Sequence, residues 1–160
     1  MSATRRFFLI ALIALVSLGA APPASWRPLT DEEIISADAL RALQTDKVDF
    51  ILFDARGKKS YEAAHIEGAV LPLSEDFYVQ DEKFRAKETS VLPDSNLALA
   101  EATRAYPRDK RMVTYCNINC KASAALLLRL KSLGFAQVQS MEEGIQTWES
   151  KGYPLKKASA

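Results

Sequence analysis

The sequence predicts an α/β fold in which a parallel sheet is wrapped by helices on both faces. Three observations lead there. Phe50-Ile51-Leu52-Phe53 and Met112-Val113-Thr114-Tyr115 are short runs without the polar alternation of a half-exposed strand, as expected of strands covered on both sides. The stretch Ala122 to Leu133 carries Leu126, Leu127, Leu128, Leu130 and Leu133 around most of its circumference, which suits a buried helix. Strand-like and helix-like segments also alternate along the chain, the pattern of a parallel sheet with crossover helices.

The elements follow in order. Ile34-Ile35 reads as a short edge strand, and Ser36 caps a helix whose Ala39, Leu40, Ala42 and Leu43 fall on one face. The Phe50 to Phe53 strand ends at Asp54. A short helix around Tyr61 to Ala64 leads to a third strand, Gly68 to Leu71, entered through its glycine. Ser74 to Ser95 is polar and irregular and is expected over the surface. Leu97 to Tyr106 reads as a helix stopped by Pro107. After the Met112 to Tyr115 strand and a loop comes the buried helix, ended by Gly134. Val138 to Ser140 is the last strand and Gly144 to Ser150 the final helix.

The N-terminus is set apart from this pattern. Thr4-Arg5-Arg6 precedes an uncharged run from Phe7 to Leu18 and then Gly19, Ala20 and Ala21, the layout of an export signal. Residues 1–25 are therefore expected to be a signal peptide, of the Sec or twin-arginine type, or a membrane anchor formed by residues 7–21 if cleavage fails. The expected location is exported and periplasmic, with membrane contact only through an uncleaved N-terminus. Residues 26–160 read as one domain: 48% of the 160 residues are hydrophobic, enough for a real core. Lysine and arginine number 21 against 20 aspartate and glutamate, so no field favours a polyanion, and nucleic acid is excluded as the expected partner. A monomer is expected.

Chemistry concentrates at Cys116, which stands between the Met112 to Tyr115 strand and the Ala122 helix. At such a junction the helix dipole and converging backbone N–H groups favour a thiolate, so Cys116 is the candidate nucleophile. The N–H groups from Asn117 through Ile118, Asn119, Cys120 and Lys121 are the candidate anion-binding nest.

An ordered set of short motifs identifies a family resemblance. Asp54-Ala55-Arg56, Tyr61, His65-Ile66-Glu67-Gly68-Ala69, Val113-Thr114-Tyr115-Cys116, Leu133-Gly134-Phe135, Glu142-Glu143-Gly144-Ile145, Trp148 and Gly152-Tyr153-Pro154 resemble a rhodanese domain from roughly Asp31 to Leu155. The resemblance implies a five-stranded parallel sheet with helices on both faces. It also implies a sulfurtransferase whose Cys116 carries a sulfane sulfur from a donor such as thiosulfate or a persulfide to a thiol or cyanide, without metal or organic cofactor. Attack by the thiolate on the outer donor sulfur would release sulfite and leave a persulfide for the acceptor.

The loop departs from the common rhodanese pattern. Asn119 and Lys121 stand where a glycine and an arginine are usual, or, if the loop is one residue longer, Ala122 takes the arginine position. Asparagine visits left-handed conformations more readily than most residues, and lysine offers a point charge in place of a bidentate fork. The Cys116-x-x-x-Cys120-x-x-Ser123 arrangement resembles a variant subgroup. Glu143 replaces the first glycine of the late Gly-Gly pair.

Further residues have competing readings. Arg56 is a substrate-binding candidate because ligands of open α/β sheets gather past the strand ends; structural pairing of Asp54 and Arg56 with nearby loops is the other role. The resemblance implies that His65 braces the turn before the third strand, a catalytic base being the other role weighed, and Trp148 is expected to lie in the core. Cys120 is either packing or the redox partner of Cys116. Two cysteines and one histidine do not make a four-ligand zinc site. The alternative to sulfur transfer is a non-catalytic or redox-sensing module using a Cys116/Cys120 disulfide, since a four-residue spacing can bring the two Cα atoms within reach. Phosphatase chemistry, which would place an arginine at Ala122, is disfavoured.

Overall fold

The computed structural model of the protein describes residues 27–73 and 95–157. After a 3-10 turn at Asp31–Glu33 come α1 (Ala37–Thr45), β1 (Ile51–Asp54), α2 (Lys58–Ala63), β2 (His65–Ile66) and β3 (Ala69–Val70). The second part holds α3 (Ser95–Thr103), β4 (Met112–Tyr115), α4 (Ala122–Ser132), β5 (Val138–Met141), α5 (Gly144–Ser150) and β6 (Leu155–Lys156). The main sheet is entirely parallel in the order β3-β1-β4-β5.

Helices cover both faces of this sheet, and the two-residue period of the strands assigns each side chain to one of them. Leu52, Val113, Tyr115 and Met141 pack with Ala37 and Leu40 of α1 and Ile145 and Trp148 of α5. Phe53, Met112 and Val138 pack on the opposite side with Leu99 of α3 and with Leu126, Leu127, Leu128 and Leu130 of α4. The apolar circumference of α4 is thereby accounted for.

The sequence reading holds for the main elements and needs correction at the edges. The main sheet has four strands, not five. Ile34 forms only an isolated parallel bridge to Ser140, with Ile35 N–H donating to the Ser140 carbonyl at 3.0 Å. The chain cannot continue the pairing because the Ser36 side chain already accepts the Ala39 N–H at 3.1 Å and turns it into α1. Helix α3 ends at Thr103, earlier than expected, and residues 104–106 form a turn before Pro107. A small antiparallel pair, β2 with β6, was not expected; it joins His65 to Lys156 and Ile66 to Leu155. The expected export segment at residues 1–25 and residues 74–94 of the expected surface stretch lie outside the described residues, and Ser95, the last residue of that stretch, begins α3. Among those that are described, no helix is long and apolar enough to cross a membrane.

The entry into the fold is fixed by a carboxylate. Glu33 is only 3% exposed. It accepts two hydrogen bonds from Arg27 at 2.7 and 2.8 Å, one from Lys131 of α4 at 2.6 Å and one from the Thr30 N–H at 3.0 Å. The Arg27 guanidinium, against the opposing effect of burial and aided by Lys131, holds its carboxyl well below the usual range. A depressed folded-state pKa contributes stability that is present above the unfolded carboxyl value of about 4.3 and is lost as pH falls toward the folded value. Glu33→Gln is therefore expected to cost on the order of 2 kcal/mol at pH 7, the worth of hydrogen bonds to a charged group. Urea denaturation across pH should show that cost shrinking below about pH 4, as the wild-type carboxylate also becomes protonated.

Candidate active site around Cys116

The carboxyl ends of β1, β4 and β5 form one edge of the sheet, and the chain leaves it in two directions. After β1 it proceeds to β3 on one side, whereas β4 is followed by β5 on the other. The switch point between β1 and β4 is where a crevice opens in such sheets. Asp54 ends β1 opposite Tyr115, which ends β4, and Cys116 is the next residue.

A buried polar cluster fixes this edge. The Tyr115 hydroxyl donates to Asp54 Oδ2 at 2.7 Å and accepts the Ile66 N–H at 3.2 Å. Asp54, fully buried, also accepts from the Arg56 backbone N–H at 2.9 Å, from Arg56 Nε at 2.9 Å and from Nη2 at 2.7 Å. The same Nη2 donates to the Ala64 carbonyl at 2.6 Å, and the guanidinium lies 5.6 Å from the Tyr115 ring centroid. Burial, and then the neighbouring Asp54 charge, push the Tyr115 phenol well above its ordinary range, so it remains a proton donor.

The loop after β4 is closed on itself and held from outside. Cys116 and Cys120 form a disulfide with their Cα atoms 6.0 Å apart, within the usual span for such bonds. Between them the Cys120 N–H donates to the Asn117 carbonyl at 3.1 Å, which closes a turn. Asn119 takes the left-handed conformation, φ +60°, that its side-chain type tolerates. From α5, Gln146 accepts the Ile118 N–H at 2.8 Å and donates to Asn117 Oδ1 at 3.0 Å. The Ile145 N–H donates to the Cys116 carbonyl at 2.9 Å.

Gly144 makes that support possible. A Cβ there would stand 2.2 Å from the Ile118 nitrogen and 2.6 Å from the Asn117 carbonyl carbon, and its φ of +75° already favours glycine. Glu143, in place of the family's first glycine, has a helical φ of −63° and needs none. Its carboxylate instead accepts the Ala37 N–H at the start of α1 at 2.7 Å.

The expected site residues separate into groups. Cys116 is buried, 3% exposed; Cys120 is half-buried; Asn117, Ile118, Asn119 and Lys121 are exposed around them. Lys121 is the N-cap of α4, and the Ala122 N–H in the first turn donates to Cys120 Sγ at 3.4 Å. Two N–H groups of the expected nest, those of Ile118 and Cys120, are already engaged within the disulfide form. Arg56 is turned onto Asp54 and Ala64, the structural role of the two weighed from sequence. His65 is buried, stacks on Tyr61 with ring centroids 3.9 Å apart and donates from Nδ1 to the Tyr61 carbonyl at 2.8 Å, which can only accept. Trp148 is fully buried, its indole N–H on the Pro154 carbonyl. Among the described residues no group of three or more histidine, cysteine, aspartate or glutamate side chains could hold a metal ion. Gln146 and the Tyr115 hydroxyl were not singled out from sequence. A tyrosine at the end of a buried strand, opposite an aspartate, was the signal available for the second.

Comparison with known proteins gives a consistent result. The profile of the rhodanese-like domain family matches residues 36–151. No curated protein sequence matches the chain. Among solved structures, a Bacillus halodurans protein, BH2092, superposes with a TM-score of 0.59 at 16% identity, covering 79% of this chain and 77% of its own. SseA from Escherichia coli, described among 3-mercaptopyruvate sulfotransferases, gives 0.58 at 22% identity, with 80% of this chain and 52% of its own covered. A thiosulfate sulfurtransferase from Pseudomonas aeruginosa gives 0.55 at 22%, with 78% of this chain and 20% of its own. At these identities the likeness is one of fold.

The Gly144 contact yields a paired test. Gly144→Ala should cost on the order of 3 kcal/mol, from left-handed strain plus overpacking against the loop backbone. Gly152→Ala, at φ +71° with nothing within 4 Å of the added carbon, should cost only the strain, about 1 kcal/mol. Chemical denaturation of the two variants checks the difference, and equal costs would remove the steric argument.

Proposed function

Since the chain belongs to the rhodanese-like domain family, we propose that it is a sulfurtransferase in which Cys116 carries the transferred sulfur. The observation that carries this reading is the placement of Cys116 at the carboxyl end of a central strand, at the switch point of the sheet, with the loop leading directly into the N-terminus of α4. The disulfide is then the oxidised resting form. Reduction gives a Cys116 thiolate favoured by the dipole of α4. The thiolate attacks the outer sulfur of an anionic donor such as thiosulfate, sulfite leaves with the electron pair of the broken S–S bond, and a persulfide remains on Cys116. A thiol or cyanide acceptor takes the outer sulfur and returns the thiolate. An exported location, expected from residues 1–25, fits a loop found oxidised.

In this reading the anionic donor is held by the N-terminal end of α4 and by the charge of Lys121, the N-cap residue. Arg56 does not contribute a free fork, because its Nε and Nη2 donors are spent on Asp54 and Ala64. The contribution of the Lys121 charge to donor binding is open to test by substitution.

Cys116→Ser should abolish thiocyanate formation from thiosulfate and cyanide; an active Cys116→Ser protein would move the sulfur-carrying role to Cys120. Oxidised wild type should be inert until a mild reductant is added, and equal activity of the two forms would show that the disulfide does not block the site. Lys121→Ala should raise KM for thiosulfate about two- to fivefold at low salt, the worth of one exposed charge contact. Lys121→Arg should restore it, and the effect should fade with ionic strength, since screening acts over about 10 Å at 0.1 M. An unchanged KM at low salt would leave donor binding to the backbone alone.

A further inference from the structure

We propose that Cys120 is a resolving thiol that reduces the Cys116 persulfide and releases its outer sulfur as hydrosulfide. The inference rests on the sulfur-carrying role of Cys116 and adds a fate for that sulfur when no external acceptor is present. It is carried by the bond the structure contains: Cys120 Sγ is joined to Cys116 Sγ, the inner sulfur of the persulfide. The approach needs no remodelling of the backbone, because the loop is held by Gln146, by the Ile145 N–H and by the close contact with Gly144, none of which involves the sulfurs.

The local electrostatics suit an attacking thiolate at position 120. Its sulfur receives the Ala122 N–H at 3.4 Å in the first turn of α4, an eleven-residue helix. The step balances as a thiol–disulfide exchange. The Cys120 thiol passes its proton to the outer persulfide sulfur, the resulting thiolate attacks Cys116 Sγ, the bond between Cys116 Sγ and the outer sulfur breaks, and that sulfur leaves as HS⁻ with the electron pair. The sulfane sulfur is reduced by two electrons and the two cysteines are oxidised by two, giving the disulfide of the structure. Another turnover requires a dithiol reductant, supplied by a protein dithiol or by dithiothreitol. Cys120 is a half-buried residue and Cys116 a buried one, so the reductant is taken to attack at Cys120, which frees Cys116 as the thiolate. The net reaction is thiosulfate plus dithiol giving sulfite, hydrosulfide, a proton and a disulfide.

A single-turnover measurement tests this step. Reduced protein, freed of reductant and kept anaerobic, is mixed with one equivalent of thiosulfate and no acceptor; sulfite, sulfide and intact mass are then measured. Wild type should release sulfide in step with sulfite and lose two hydrogens. Cys120→Ala and Cys120→Ser should release at least about tenfold less sulfide, gain one sulfur mass, and give up that sulfur as thiocyanate when cyanide is added. Retention of the added sulfur by wild type without sulfide, including its passage to Cys120, would overturn the resolving role while leaving Cys116 as carrier. Equal sulfide from wild type and both variants would also overturn it. If neither wild type nor variants take sulfur from thiosulfate, the carrier role of Cys116 fails, and this inference with it.

Discussion

The buried carboxylate of Asp54 is the constraint on which the reactive edge depends. A fully buried charge is tolerated only when paired and hydrogen-bonded, and here the donors come from three directions: the Tyr115 phenol, the Arg56 side chain and the Arg56 backbone. Tyr115 immediately precedes Cys116, so the bond that satisfies the carboxylate also fixes where β4 ends and the loop begins. Arg56 extends the same cluster to the Ala64 carbonyl, and the phenol reaches the Ile66 N–H. Removing any one member would leave a buried polar group unsatisfied, which costs more than the bond itself contributes.

The loop then depends on a second element for its shape. Besides its disulfide and one internal turn, it is supported from the start of α5, where Gly144 lets two backbones approach more closely than any side chain would permit. This explains how the loop tolerates Asn119 where common rhodaneses carry a glycine. The left-handed residue is an asparagine that can adopt φ +60°, and the bracing comes from Gln146 of α5. Glu143 fits for a related reason: the positive φ falls on Gly144, which leaves residue 143 free to carry a side chain that caps α1.

Much of this was legible in the sequence because the signals were local and periodic. The uninterrupted apolar runs gave β1 and β4, the nearly all-round apolar helix gave α4, and Ser36 marked the start of α1. What was not legible is non-local or too short. The β2 and β6 pair has two residues a side, below any detectable period, and Ile34 shows strand-like side chains although only one bridge forms before Ser36 turns the chain. The Arg27–Glu33–Lys131 cluster joins residues about a hundred positions apart, and Gln146 meets the loop from a different element. Arg56 could be read from its position as facing ligand or protein, and only the geometry of the Asp54 fork decided that its bonds go inward.

Burial gives the two cysteines different chemical positions although they share one bond. Cys116 is buried, 3% exposed, immediately after the end of a central strand. Cys120 stands closer to solvent at the start of α4, with a backbone N–H on its sulfur. If Cys120 resolves the persulfide as proposed, each turnover by that route consumes a dithiol, and its rate would follow the supply of reductant to the cysteine pair.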